Sequence, residues 1–272
     1  MTKIDMHIHG APWEYSWQNY RRSVWQGWKN GCSHIGIAEH APRMNHRVPY
    51  RSLHFSEFDQ YFNTIEEIRI EFRGQVEVLT GLELDFNDKM TEEYTDILPN
   101  LPLDFVIGSI HSMGDWIIDL QGSWEESSYR EYNPDDLYRE YFAKVRKAAE
   151  CGLFDFIGHV DIIKLAFADA GLRKPDNLES MYKETAETLA RHRVGIEINT
   201  RGLILEGVEE FYPDFELLKA CVKAGVPLTI SSDSHDSLRV GENFDKAVQF
   251  AKDAGAEEIN IWRGRERVGF SI

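Results

Sequence analysis

Seven short apolar runs in this chain each lead into imidazole or carboxylate side chains, and that repetition restricts its possible folds more than any other feature. The runs cover 3–7, 34–38, 76–83, 103–109, 154–159, 194–199 and 226–231. They lead into Asp5-Met6-His7-Ile8-His9, Glu39-His40, Glu83, His111, His159, Glu197 and Asp233-Ser234-His235. One such ending is weak evidence for a site. Seven in order describe a ring of strands whose C-terminal ends converge, and in barrels of alternating strands and helices that end carries the active site.

Between most of these runs the apolar residues recur with helical spacing, as in 16–30, 57–73, 134–151, 178–192, 211–224 and 244–254. Gly31, Gly152, Gly225 and Gly255 each follow a helix-like run, as a left-handed C-cap requires. Alternation of this kind implies an α/β chain with a parallel sheet or barrel. With no Pro/Gly/Ser-rich linker and no repeat of fixed period, residues 1–272 read as one domain. An eighth run, 258–262, suits a last strand or an edge, and the tail 263–272 shows no pattern. Segment 113–133 is the longest stretch without helical periodicity and holds Asp115, Trp116, Asp119, Trp124 and Glu125. A loop of that length in a compact domain is often a lid or binding loop.

Composition excludes several function classes. The net charge of −16, with no Lys/Arg run to offset it, opposes nucleic-acid binding. No apolar stretch approaches the roughly 20 residues that span a bilayer. No basic segment and apolar core precede the first strand, so a cleaved signal peptide is not expected and the expected location is the cytoplasm. Cys32, Cys151 and Cys221 form no C-x-x-C pair and read as reduced, buried thiols.

The strand endings carry metal chemistry. In Asp5-x-His7-x-His9, alternate residues on a strand share a face, so all three side chains can meet one site. Two neutral imidazoles with a carboxylate suit zinc, iron or manganese. The Glu83 carboxylate can bridge two cations through its two oxygens. His111 and His159 each follow an apolar strand and a small residue, and Asp233 and His235 again occupy alternate positions. Together with Glu39-His40, these groups exceed the three or four protein ligands of one zinc site, so two or three divalent cations are expected. Asp85 is placed either to support a ligand or to be exposed. His34, His46, His54 and His192 lack this context and read as core, loop or surface residues.

The ordered set Asp-x-His-x-His, Glu-His-Ala-Pro, Thr-Gly-Leu-Glu, Ile-His-Ser, Gly-His-Val-Asp, Glu-Ile-Asn-Thr and Ser-Asp-Ser-His resembles the polymerase and histidinol phosphatase (PHP) superfamily. Within it the chain looks most like the histidinol-phosphate phosphatase branch. The motifs run from Asp5 to His235, nearly the whole chain. The resemblance implies a distorted (β/α)7 barrel and, as in many members, a trinuclear centre of zinc, manganese or iron. It places the first metal on His7, His9, Glu83 and Asp233, the second on Glu83, His111 and His159, and the third on His40 and His235. Relatives usually supply a further His soon after the first motif. This chain has none in Gly10–Tyr15, where Glu14 is the available oxygen ligand.

The implied reaction is hydrolysis of a small phosphate monoester, most simply histidinol phosphate, by a hydroxide bridging two metals. Asp233 or His235 would position water or assist the leaving alkoxide. Arg43, Lys164 and Arg201 lie just past strand ends, where each could hold phosphate oxygens. Arg201 stands where such phosphatases commonly have a small residue before the glycine. Asp115, Trp116, Asp119 and Trp124 are expected to receive a cationic amine by charge and cation–π contact. The alternative is a nucleotide or oligonucleotide phosphoesterase on the same scaffold, which a basic groove would favour. A non-catalytic metal-binding module is a third reading, opposed by the nearly full ligand set.

Overall fold

The computed structural model describes residues 2–10, 17–42 and 52–272, less the side chains of 88–91. Glu14, Arg43 and His46 lie outside the described residues. The chain starts with β1 (Ile4–Ile8), β2 (His34–His40), β3 (Glu77–Asp85) and β4 (Phe105–Ser109). A small hairpin of β5 (Ser112–Met113) and β6 (Trp116–Ile117) follows, then β7 (Phe156–Ile157), β8 (Gly195–Asn199) and β9 (Leu228–Ser231). β1, β2, β3, β4, β7, β8 and β9 form one parallel sheet in that order, each strand beside the next. Their residues are buried almost without interruption, as expected of parallel strands covered on both faces.

The sheet closes on itself. Ile8 bridges to Ser234, and the His9 N–H donates to the Ser234 carbonyl at 2.9 Å. The result is the expected distorted seven-stranded barrel. Its distortion is local: the β1–β2 register slips between Asp5 and Ile8, and β7 contributes only two residues.

The helices are α1 (Trp17–Lys29), α2 (Phe58–Glu71), α3 (Asp88–Ile97), α4 (Pro134–Glu150), α5 (Ile163–Asp169), α6 (Glu179–His192), α7 (Phe215–Ala224) and α8 (Phe244–Asp253). α4 shows why such segments form. The Asn133 side chain accepts from the Asp135 N–H, and Pro134 fills the first position, where its missing donor costs nothing. Leu137, Tyr138, Tyr141, Phe142 and Val145 then fall on one buried stripe. In α7 the Asp214 carboxylate accepts from the Leu217 N–H, and Gly225 closes the helix at φ 77°.

Below the strand ends, aromatic rings fill space left by glycines. A Cβ on Gly81 would stand 2.3 Å from the Phe105 ring, so only glycine admits that ring. Phe105 stacks on Phe156 at 5.7 Å, and Phe156 meets Trp262 at 4.9 Å.

Three features differ from the sequence expectation. The tail is not patternless: β10 (Glu258–Arg263) pairs antiparallel with β11 (Glu266–Ser271). Gly264 and Arg265 both take positive φ, at 55° and 68°, as in a tight two-residue hairpin turn. The hairpin clasps the lower ends of β3 and β9 and the loop before β7, through Arg263–Glu77 at 2.7 Å, Asn260 donating to the Leu228 carbonyl at 3.0 Å, and Arg265–Asp155 at 2.5 Å. Two helices, α3 and α5, stand where none was expected. Segment 113–133 is not a bare loop: after the β5–β6 hairpin it makes short 3-10 turns at Ser123–Glu126 and Ser128–Glu131.

Candidate metal centre

The C-terminal ends of the barrel strands bring the expected donors together. Three groups have ligand atoms all within 4.8 Å of one another: His7, His9 and Asp233; Glu83, His111 and His159; and His9, His40 and His235. Glu83 stands between them. Its Oε1 lies 3.3 Å from His111 and 3.2 Å from His159, while its Oε2 lies 3.6 Å from both His7 and His9 and 2.6 Å from His40. His9 joins the third group, which the resemblance had placed on His40 and His235 alone. Its ring stacks between theirs at 4.4 and 4.2 Å.

A second layer of carboxylates fixes these rings. Glu197 accepts from His7 Nδ1 at 3.0 Å, the His159 N–H at 2.7 Å, Asn199 Nδ2 at 2.7 Å and the Ser231 hydroxyl at 2.7 Å. Glu39 lies 3.4 Å from His9 Nδ1 and accepts from the Tyr20 hydroxyl at 2.6 Å and the Gly10 N–H at 2.9 Å. Asp85 accepts from His111 Nδ1. Carboxylates behind ligating imidazoles set the tautomer and aim of the ring. Glu39 and Glu197 end apolar runs as the ligands do, but sequence alone could not separate them from ligands. Two of the donor residues also carry backbone strain: His159 and Asp233 have φ of 27° and 47°, held by the hydrogen bonds around them.

Asp5 does not join the donors. Its carboxylate accepts from the Ser232 N–H at 2.9 Å, the Ser232 hydroxyl at 2.6 Å and the Gly241 N–H at 2.7 Å. It sits one layer lower and secures the segment that carries Asp233. Burial pushes its carboxyl up to about 6, against the hydrogen bonds that lower it.

Glu197→Gln is expected to keep the fold and lower metal affinity or turnover by roughly 10–100-fold, the usual effect of removing a carboxylate behind a ligand. Metal titration of the purified variant, read beside wild type, checks this; equal affinity and equal turnover would remove Glu197 from the centre.

Electrostatics support a cation site. Burial opposes ionisation of Glu83, yet His40, His111 and His7 hold its carboxyl well below the usual carboxylate range. Burial likewise opposes ionisation of Asp233, which Arg201, His7 and His9 hold well below its ordinary value. Burial disfavours a charged His7, but Glu197, Glu83 and Asp233 raise it well above the usual range. So tight a set of buried carboxylates and imidazoles must take up either protons or cations, and divalent metals compete for these same lone pairs. His235 is different: burial, His9 and Arg201 hold it well below its ordinary value, so its ring stays neutral. The mixed imidazole–carboxylate donors fit zinc, manganese or iron.

These groups face a cavity of about 710 Å³. Arg201 lines it, with Nη1 3.3 Å from Asp233 Oδ1 and 2.6 Å from His235 Nδ1. The lining also includes Asp119, whose charge acts on both His111 and Arg201, the exposed Asp169 and Glu206, and Ile118, Ile162 and Leu165.

Two expected substrate contacts are placed elsewhere. Lys164 is buried and turned away: its Nζ lies 3.1 Å from Asp161 and 3.0 Å from Glu210 and donates to the Phe211 carbonyl. A cation held by three oxygens in that way is not free to meet phosphate. Trp116 and Trp124 are core residues, 1% and 8% exposed, with rings 4.8 Å apart and Trp116 stacked on Phe167. Asp115 accepts from the Ser128 hydroxyl and ties the loop to itself. Of that expected amine site only Asp119 lines the cavity.

Barrel and donor set together define a protein with a candidate metal centre at the C-terminal mouth of an α/β barrel. The sequence model of the PHP domain matches residues 5–201, and the chain belongs to that family. A protein of Deinococcus radiodurans named a probable histidinol-phosphatase is 30% identical over 94% of this chain and 95% of its own length. The histidinol-phosphatase of Lactococcus lactis is 26% identical over 97% of this chain and 96% of its own. The crystal structure of the histidinol phosphate phosphatase from Lactococcus lactis, complexed with zinc, L-histidinol and phosphate, superposes with a TM-score of 0.79. It is 23% identical and covers 98% of this chain and 99% of that one, which establishes the shared fold. Among the described residues no helix is long and apolar enough to cross a membrane.

Proposed function

We propose that this protein is a metal-dependent phosphoric monoester hydrolase whose preferred substrate is histidinol phosphate. One observation carries the reading: a single cavity is lined by the metal donors, the Arg201 guanidinium, apolar side chains and three carboxylates, of which Asp169 and Glu206 are exposed at its rim. A phosphate fits the metal donors and Arg201. An amine-bearing leaving group with an apolar ring fits the carboxylates and apolar side chains, because a wall of one sign draws in the opposite charge. The names of the curated relatives point the same way.

In this reading His7, His9, Glu83 and Asp233 would hold one divalent cation and Glu83, His111 and His159 a second, with a third on His40 and His235. Such cations make water nucleophilic at neutral pH and offset charge gathering on the phosphate. The chain supplies orientation. Arg201 offers its planar fork to the phosphate oxygens. Asp233, held ionised, is the acceptor that orients the attacking water. Glu197, Glu39 and Asp85 keep His7, His9 and His111 aimed. The acidic lining works against the nucleotide and oligonucleotide alternative, since it would repel a second phosphate.

The test is phosphate release by metal-loaded protein from histidinol phosphate, sugar phosphates and nucleotides. The expected order places histidinol phosphate first in kcat/KM. A nucleotide in first place would keep the metal chemistry and overturn the leaving group.

A further inference from the structure

Tyr212 lines the cavity and is as buried as two donors that line it too, 1% exposed against 2% for both Glu83 and His159. Its hydroxyl is buried and has no hydrogen-bond partner among the described residues. Buried hydroxyls are nearly always paired, and leaving one unpaired costs the folded state stability. Because the residue lines the cavity, a ligand bound there can supply the missing partner.

The rest of the residue is fixed in place. Its N–H donates to the Asn199 carbonyl at 3.2 Å, and the Asn199 N–H donates to its carbonyl at 2.7 Å. The Lys164 ammonium sits 4.8 Å from the ring centroid and is itself held by Asp161, Glu210 and the Phe211 carbonyl. Gly202 closes another side: a Cβ there would stand 3.1 Å from the Tyr212 ring and 2.2 Å from the Glu210 carbonyl oxygen. Only glycine lets the turn that carries Arg201 approach the tyrosine so closely. Arg201 and Tyr212 are thereby presented together, with the phenol ring centroid 6.4 Å from that of His159.

We propose that the Tyr212 hydroxyl donates a hydrogen bond to a phosphoryl oxygen of the substrate, forming with Arg201 a two-sided clamp beside the metal donors. The proposal rests on the phosphatase reading. A phenol is a neutral donor on a stiff ring, and its bond to a charged phosphate oxygen is of the strong, charge-assisted kind. Because packing holds the ring in place beforehand, little ordering is left to occur on binding.

Tyr212→Phe removes the hydroxyl and keeps the ring against Gly202 and Lys164. Calorimetry with inorganic phosphate on metal-loaded wild type and variant gives the affinity; metal content, melting temperature, kcat and KM are read on the same samples. The phosphate Kd is expected to rise about tenfold or more, the usual size of a lost hydrogen bond to a charged group. The kcat/KM should fall comparably, with metal content unchanged. The ligand-free melting temperature should stay at or above that of wild type, because an unpaired buried hydroxyl has gone. An unchanged phosphate Kd overturns the proposal. If it comes with a lower melting temperature, the hydroxyl is a structural group that serves a buried water. Failure of the phosphatase reading is separately visible: wild type would then release no phosphate from any ester, and this proposal would fall with it.

Discussion

Asp233→Ala is expected to lower kcat/KM for phosphate release by about a thousandfold or more, the scale of several kcal/mol of lost transition-state stabilisation. Asp233 touches both halves of the chemistry. It lies 3.4 Å from His9 and 4.0 Å from His7 in the metal-donor group, and 3.3 Å from Arg201, the guanidinium proposed to face the phosphate. Removing the carboxylate takes a ligand from the metals and leaves Arg201 without its nearest counter-charge. Its φ of 47° means that alanine also strains the backbone, at a cost of about 1–2 kcal/mol. Asp233→Asn separates the two effects, since asparagine tolerates that conformation and keeps the shape. His7→Ala removes a ligand on another strand and should match the loss. Steady-state assays with folding checked by circular dichroism decide it; near-normal turnover in the Asp233 and His7 variants would defeat the site assignment.

Stripping metals with a chelator is expected to abolish turnover and to lower the melting temperature by on the order of ten degrees, from linkage worth about 4 kcal/mol at saturating metal. The cause is the crowding of buried groups at the strand ends. Glu83 Oε2 is within 3.6 Å of three imidazoles, and Glu197 and Asp233 lie beside the same rings. A bound cation satisfies lone pairs that otherwise need protons. Adding back zinc, manganese or iron should restore both properties, read by differential scanning calorimetry and phosphate release. Turnover that survives complete removal of metal would contradict the account.

The barrel was legible because its signal is local and repeated. Each strand is a short apolar run, and β1, β2, β3, β4, β7, β8 and β9 all lie at or near expected positions. The donors were legible because they sit within four residues of those strand ends. What sequence missed depends on distant partners. Lys164 follows a strand end as a phosphate-binding residue should, but Asp161 and the Phe211 carbonyl, 47 residues away, turn it inward. Trp116 and Trp124 sit in a segment without periodicity, and only the packing of Phe167 and Tyr129 shows them as core. The C-terminal hairpin hid because its turn, Gly264-Arg265, lacks the Asn-Gly or Asp-Gly signature. Tyr212 gave no signal, since its place depends on Lys164 and on the Asn199–Gly202 stretch, from two other parts of the chain.

Anomalous scattering from crystals of the metal-loaded protein, recorded across the zinc, iron and manganese edges, tests the central claim most directly. The account predicts strong peaks among His7, His9 and Asp233 and among Glu83, His111 and His159, with Glu83 reaching both. Crystals of active protein with no metal peak among these residues would contradict it.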